Sequence, residues 1–195
     1  MVLALQIIGT ILGLLYLYLE YKVNIWLWVV GVVMPVVHGI LYYQAGLYAD
    51  AAINIYYVLA GIYGLICWLC HSQKESDAVP HSVLNAPRRT IPLLVTSYAV
   101  LHIAIYLLLV TFTNSTVPIC DSFTTALSIV ALWMLSKKYT EQWLVWLVVD
   151  AVTVGLYIYK GIYITAALYA VYTLLAVVGY MKWRRLSNGD CQAVQ

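Results

Sequence analysis

Seven predominantly apolar stretches, each 17 to 22 residues long, follow one another along this chain of 195 residues. Each is long enough to cross the bilayer hydrocarbon as one α-helix, which takes about 20 residues, with roughly 17 to 25 tolerated. The chain is 64% hydrophobic and only 9% charged, which excludes an ordinary soluble domain. We therefore predict an all-α integral membrane protein with seven transmembrane helices. The predicted spans are Leu3–Leu19, Ile25–Tyr43, Tyr48–Leu69, Ile91–Phe112, Ile119–Leu135, Trp143–Tyr159 and Ile162–Met181.

The positive charges lie almost entirely on one side of this arrangement. Nine of the ten Lys and Arg residues fall in loops on one side of the predicted bundle, and Lys160 is on the other side. Loops rich in Lys and Arg normally face the cytoplasm. The pattern therefore predicts a multi-pass membrane protein with its N-terminus outside and its C-terminus in the cytoplasm.

The sequence repeats itself at an offset of 115 residues. Residues 28–68 align without gaps on residues 143–183, with 14 identities in 41 positions, among them Trp28 with Trp143 and Gly64 with Gly179. Four spans separate the corresponding helices, so both triplets would share one orientation about an axis along the membrane normal. We predict a parallel 3+1+3 repeat. Its parts are a first three-helix repeat (1–70), a cytoplasmic linker (71–90), a connector helix (91–112), a second three-helix repeat (113–183) and a cytoplasmic tail (184–195).

One face of the sixth predicted helix carries aromatic and acidic residues. Trp143, Trp146 and Asp150 follow one another at steps of three and four, and Tyr157 continues the same face. A carboxylate in mid-span costs about 2.5 to 3.5 kcal/mol on insertion scales, so Asp150 is not expected to face lipid. Indole rings offer flat stacking surfaces, and a carboxylate offers negative charge. The face therefore predicts binding of a small, flat cation.

Structural roles for the same residues stay open at this point. Trp143 lies close enough to the membrane edge to act as an interface anchor. Asp150 would also be explained as an acceptor for hydroxyl groups of a neighbouring helix, such as those of Thr124, Thr125 or Ser128.

The second and third predicted helices add polar candidates. Pro35 stands where the second repeat has Asp150 and predicts a kink that frees backbone carbonyls toward a cavity. His38 follows on the same face and is either a proton relay or a hydrogen-bonded buried histidine. Asn54, on the third helix, suits an amide or hydroxyl group of a ligand. We include His38 and Asn54 among the predicted substrate-binding residues.

Motifs of enzymes and cofactor sites are missing from the sequence. It contains no G-x-S-x-G, H-E-x-x-H, Walker A or G-x-G-x-x-G pattern. The C-x-x-C at Cys67 and Cys70 has no second pair at the spacing that zinc requires. A net charge of +2 does not favour nucleic acid. We predict no enzyme activity, no metal and no cofactor.

The chain carries four motifs: W-x-x-W-x-x-x-D from Trp143 to Asp150, G-L-Y-A-D from Gly46 to Asp50, I-Y-G from Ile62 to Gly64, and D-S-F-T-T-A-L-S from Asp121 to Ser128. With these motifs it resembles the Pnu family of bacterial vitamin transporters, which comprises nicotinamide riboside transporters and their thiamine-type and riboflavin-type relatives. The resemblance covers nearly the whole chain. It implies a 3+1+3 fold similar in plan to the SWEET sugar transporters, and a homotrimer with one pathway per subunit.

The resemblance also implies facilitated diffusion, made unidirectional because a cytosolic kinase phosphorylates and traps the vitamin. Riboside-type members usually carry Asn at the position of Asp150 and often Gln at that of Asn54, so the chain departs from their pattern at both. Nicotinamide riboside and thiamine are both flat cations. We predict nicotinamide riboside as the substrate with thiamine as the alternative; a non-transporting scaffold and a proton-coupled carrier also stay open.

Overall fold

Seven α-helices make up the chain in the computed structural model, which describes residues 2–44, 48–74, 83–113 and 116–189. The predicted number of helices is confirmed, and the fourth helix has the predicted bounds. The third and seventh helices extend beyond their apolar stretches, because good helix formers such as Gln, Lys and Arg continue them. The helices are α1 (Val2–Tyr21), α2 (Trp26–Gln44), α3 (Tyr48–Lys74), α4 (Ile91–Phe112), α5 (Pro118–Ser136), α6 (Gln142–Tyr159) and α7 (Tyr163–Ser187).

Length and hydropathy mark membrane-spanning helices in the second half most clearly. Within the described residues, four helices are long and apolar enough to cross a bilayer: Arg88–Phe112, Pro118–Ser136, Gln142–Tyr159 and Thr165–Ser187. Three shorter apolar helices precede them: Ile11–Tyr21, Trp26–Ile40 and Asn54–Cys70.

The chain divides into two compact units, of which the first is Met1–His81. Within it α1 packs on α2, and α2 packs on α3. A glycine allows the second contact, because a Cβ on Gly64 would overlap the ring of Trp28. The indole of Trp28 is 1% exposed and meets that of Trp68 edge to face, with 5.8 Å between ring centroids.

The second unit is Ser82–Gln195, in which α4 packs on α5, α5 on α6 and α6 on α7. Here Trp143 is 1% exposed, and its ring lies 2.7 Å from where a Cβ of Gly179 would be. Trp143 meets Trp183 edge to face, again with 5.8 Å between centroids. Each of these residues stands 115 positions after its counterpart in the first unit. In both units, therefore, two helices pack through the same contact between a tryptophan and a glycine.

The turns that join α1 to α2 and α5 to α6 also correspond. Val23 and Lys138 both adopt left-handed backbone conformations, with φ of 54° and 56°. In the first turn the Asn24 N–H donates to the Leu19 carbonyl at 2.9 Å, and in the second the Tyr139 N–H donates to the Met134 carbonyl at 3.0 Å. Both are Schellman caps, a motif that normally places glycine at the left-handed position.

Pro35 does not interrupt α2, which runs as one helix from Trp26 to Gln44. A proline leaves the carbonyl four residues earlier without its helical amide, and here that carbonyl belongs to Gly31. It lies 3.5 Å from the point that a Cβ of Gly61 would occupy, which places it against α3.

Residues 83–87 lie against the α5–α6 turn, a contact that the sequence did not predict. Leu84 forms a parallel bridge with Tyr139; its N–H donates to the Lys138 carbonyl at 3.0 Å, and its carbonyl accepts from the Thr140 N–H at 2.9 Å. The Ala86 N–H donates to Glu141 Oε2 at 2.8 Å. This part of the predicted linker is therefore tied to the second unit.

Candidate functional site

Asp150 is the buried acid at the centre of α6. Its side chain is 7% exposed, so burial withholds most of the water that a carboxylate would otherwise bind. Within the described residues it takes part in no hydrogen bond and no ion pair. The Tyr172 side chain of α7 lies near enough to interact electrostatically with the Asp150 carboxylate. The second unit thus holds a carboxylate whose acceptor capacity is unused by the described part of the chain.

Hydroxyl groups of α5 do not satisfy Asp150, so that structural explanation is wrong. Thr124 donates to the carbonyls of Cys120 and Asp121 in α5, at 3.0 and 3.2 Å. Thr125 donates to the Asp121 carbonyl at 2.7 Å, and Ser128 to the Thr124 carbonyl at 2.9 Å. A hydroxyl has a single proton to donate, and each of these is used within the helix.

Trp146 lies on the face of α6 that carries Asp150, one turn before it. Its side chain is half-buried, but its indole Nε1 is inaccessible and has no hydrogen-bond partner in the described part of the chain. Buried indole N–H groups usually find an acceptor. The Nε1 atoms of Trp28, Trp143 and Trp183 also lack a described partner, so what distinguishes Trp146 is its half-buried flat ring one turn from the Asp150 carboxylate.

Trp143 occupies a different environment from Trp146. Its ring is enclosed between α6 and α7 by Gly179 and Trp183, as that of Trp28 is enclosed by Gly64 and Trp68. This placement favours a role in holding α6 against α7. That Trp143 stacks on a substrate stays a prediction.

Tyrosine rings link α6 and α7 toward the other end of the predicted site. Tyr157 stacks on Tyr169 with 5.4 Å between ring centroids and an interplanar angle of 27°. Tyr169 in turn meets Tyr172 edge to face at 5.5 Å. Spacing alone shows that Tyr169 and Tyr172 lie on one stripe of the seventh helix, but it does not reveal which residue of another helix they contact.

His38 and Asn54 belong to the first unit. His38 Nδ1 lies 2.9 Å from the Met34 carbonyl one turn earlier, so its ring can donate to its own helix. Asn54 of α3 is half-buried, and a Cβ on Gly39 of α2 would lie 3.3 Å from the Asn54 Cβ. Both residues therefore lie along the α2–α3 pair of this unit.

The predicted site residues thus fall into two groups, one in each unit. Trp143, Trp146, Asp150 and Tyr157 share α6, whereas His38 and Asn54 lie on α2 and α3. Gly46, Leu47 and the tail residues 190–195 lie outside the described residues, as does the side chain of Asp50.

Comparisons with known proteins give relatives along almost the whole chain. The nicotinamide riboside transporter PnuC of Escherichia coli is 24% identical and is matched over 91% of this chain and 84% of its own length. PnuC of Neisseria mucosa is 26% identical, over 92% of this chain and 71% of its own. The riboflavin/roseoflavin transporter RibM of Streptomyces davaonensis is 27% identical, over 97% and 88%.

The fold also has a solved counterpart. A crystal structure of the vitamin B3 transporter PnuC superposes with a TM-score of 0.70 and 22% identity, covering 92% of this chain and 80% of that one. A profile of the nicotinamide mononucleotide transporter family matches residues 3–185, nearly the full length. This match and the apolar helices identify a multi-pass membrane protein. The chain therefore belongs to the nicotinamide mononucleotide transporter family, whose members are transporters and not enzymes.

Proposed function

We propose that this chain transports nicotinamide riboside across the membrane. Two of the relatives described above carry that activity in their names. The observation from the structure that supports the proposal most directly is the buried Asp150, which no donor or cation satisfies within the described residues. The pyridinium ring of nicotinamide riboside is a flat cation, and its carboxamide and ribose supply both hydrogen-bond donors and acceptors.

In this proposal α6 binds the substrate ring. Trp146 stacks on the pyridinium, an arrangement in which attraction between a cation and an indole reaches about 2 kcal/mol when water is excluded. Asp150 balances the charge or accepts from the carboxamide. Tyr157 adds a hydrogen bond. For Asn54 and His38, which lie in the first unit, substrate binding stays a prediction. Trp143 supports the site by fixing α6 on α7, where its ring is enclosed.

In this proposal the bound cation offsets the free-energy cost of burying the Asp150 carboxylate in the membrane. A carboxylate in mid-span costs about 2.5 to 3.5 kcal/mol on insertion scales. A structural salt bridge would offset this cost permanently, but Asp150 makes none within the described residues. A transported cation offsets it only while bound, which leaves the site free to release its substrate.

For the transport mode we propose facilitated diffusion, with trapping of the substrate by a cytosolic kinase. The sequence has no nucleotide-binding motif that would couple transport to hydrolysis. The Lys and Arg distribution supports an N-terminus outside and a C-terminus in the cytoplasm of a bacterial inner membrane.

We also propose a parallel 3+1+3 architecture with the SWEET-like plan. The equivalent tryptophan–glycine contacts and Schellman caps at an offset of 115 residues support it. The homotrimer is proposed from the resemblance to the Pnu family, and light scattering of the protein in detergent would measure its mass.

Uptake by cells tests the substrate proposal. Bacteria that lack their own riboside uptake would express the chain together with a riboside kinase, and accumulation of labelled nicotinamide riboside would be measured. Asp150→Ala, which removes both the charge and the acceptor, should lower the affinity for the riboside on the order of 10-fold to 100-fold, since a hydrogen bond to a charged group contributes about 1.5 to 3 kcal/mol. Asp121→Ala, at a partly exposed acid paired with Lys160, is the matched control and should transport normally.

Thiamine is the second candidate, because its thiazolium is also a flat cation. Excess unlabelled thiamine and riboflavin would be added separately to the riboside uptake assay. Uptake of labelled thiamine would also be measured directly. If thiamine competes, riboflavin does not, and labelled thiamine is taken up faster than the labelled riboside, thiamine is the substrate. Competition by neutral riboflavin with equal strength would contradict a site that selects its substrate by positive charge.

A further inference from the structure

A long apolar groove lies on the surface of the second unit, between α4 and α6, with α5 as its floor. Its volume is about 390 Å³. One wall is formed by Ile91, Leu94, Val95 and Tyr98 of α4, which follow at the spacing of a single helix face. No residue of α4 is buried, so this helix presents both the groove wall and its outer face to its surroundings.

The groove has the dimensions and polarity of a site for a hydrocarbon chain. From Ile91 to Tyr98 it extends about 10 Å along α4, at a rise of 1.5 Å per residue. Its lining is apolar except for Tyr98 and Glu141. Because α4 is a membrane-spanning helix, acyl chains are the medium beside it, and water would gain few hydrogen bonds from such a lining.

Two arginines stand at the end of the groove. Arg88 and Arg89 form the 3₁₀ turn immediately before Ile91, and both are exposed. Neither forms an ion pair or a side-chain hydrogen bond with another described residue. The first turn of α4 adds the positive end of the helix dipole, but the Ile91 N–H donates to the Arg88 carbonyl and Pro92 has no N–H.

An acidic residue also lies at this end of the groove. Glu141 is half-buried, and its Oε2 accepts the Ala86 N–H at 2.8 Å. The Glu141 carboxylate thus already accepts a backbone hydrogen bond that holds residues 83–87 in place. This end of the groove therefore has two positive charges, from Arg88 and Arg89, and one negative charge, from Glu141, so its net charge is positive.

We propose that this groove binds one anionic phospholipid. One acyl chain lies between α4 and α6, and the lipid phosphate is held by Arg88 and Arg89 at the membrane surface. Charge complementarity selects the occupant, because the acyl chain of any lipid fits the apolar part but only an anionic headgroup satisfies both arginines. The site shares no residue with the proposed riboside site, so either proposal can fail without the other.

Native mass spectrometry of the full chain in detergent tests the site. Phosphatidylglycerol and phosphatidylcholine with identical acyl chains would be titrated separately. The unmodified protein should retain one phosphatidylglycerol molecule at concentrations where phosphatidylcholine does not bind. The double variant Arg88→Ala with Arg89→Ala should weaken phosphatidylglycerol on the order of 30-fold, from about 1 kcal/mol for each basic residue near anionic lipid.

The exposed pair Arg184 and Arg185 at the end of α7 provides the matched control. Its double alanine variant should bind phosphatidylglycerol as the unmodified protein does. A loss as large as that of the Arg88 and Arg89 variant would overturn the proposal, because binding would then depend on overall charge. Equal binding of the two lipids by the unmodified protein would overturn it as well.

Filling the groove provides a second, independent test. Leu94→Trp or Val95→Trp should reduce the number of retained phosphatidylglycerol molecules from one to zero without changing the mass of the oligomer. If the two variants instead change the oligomer mass and leave lipid retention intact, a second copy of the chain occupies the groove and the lipid proposal fails. An unchanged thermal midpoint in lipid-free detergent would show that the variants are folded.

Discussion

The tight packing of Trp143 against Gly179 allows a quantitative prediction about the contact between α6 and α7. A Cβ at this position would lie 2.7 Å from three atoms of the Trp143 indole, whereas ordinary contact begins at 3.4 Å. Gly179→Ala therefore requires the ring and the helix to separate by about 0.7 Å. The ring cannot rotate away, since Trp143 is 1% exposed and is also held by Trp183.

The expected cost is that of an overpacked core. Such substitutions destabilise proteins by about 1 to 3 kcal/mol. Gly155→Ala in α6 is the matched control, because nothing lies within 4 Å of its added Cβ. Alanine should stabilise the helix there by about 1 kcal/mol relative to glycine. The two variants thus differ by about 2 to 4 kcal/mol and in opposite directions from the unmodified protein.

Thermal unfolding of the purified protein in detergent measures this difference. At about 2 to 4 °C per kcal/mol for a chain of this size, the midpoints of the two variants should lie about 5 to 15 °C apart. Adding Trp143→Phe to Gly179→Ala should recover part of the loss, because the smaller ring leaves room for the new methyl group. Equal midpoints for Gly179→Ala and Gly155→Ala would refute this account of how α6 meets α7.

Two further predictions concern the turns beside these helices. At Val23 and at Lys138, the glycine variant should be more stable than the alanine variant by about 1 to 2 kcal/mol, because φ is positive at both positions and only alanine has a Cβ that clashes. Thermal unfolding measures this difference, and greater stability of the alanine variants would contradict it. Glu141→Gln should speed hydrogen exchange of the Ala86 amide, because the N–H loses a charged acceptor at 2.8 Å, whereas Lys160→Ala, which removes an exposed ion pair with Asp121, should leave that exchange unchanged.

Local features of the sequence were sufficient for the helices and for part of the site. The apolar stretches predicted all seven helices of the described chain, since crossing a bilayer depends on the length and hydropathy of one segment at a time. Steps of three and four residues placed Trp146, Asp150 and Tyr157 on one face of α6, because helical geometry repeats every 3.6 residues.

Partners of individual side chains could not be predicted in the same way. Spacing shows Trp143 on the same face as Trp146, yet the first ring is enclosed by Gly179 and Trp183, whereas the second is only half-buried. The sequence also offered Thr124 as a donor to Asp150, but the hydroxyl donates within its own helix. Nothing local in residues 83–87 indicates their pairing with the α5–α6 turn.

The sequence by itself thus determined that the chain crosses a membrane as helices, how its two similar halves are spaced, and that an acid stands among aromatic residues in mid-span. The tertiary structure decided which tryptophan packs, which tyrosines of α7 meet Tyr157, and that Asp150 has no partner among the described residues. The physical reason is that hydropathy and helical period act within one segment. A ring contact or a hydrogen bond between helices depends on which surfaces meet across a few ångströms.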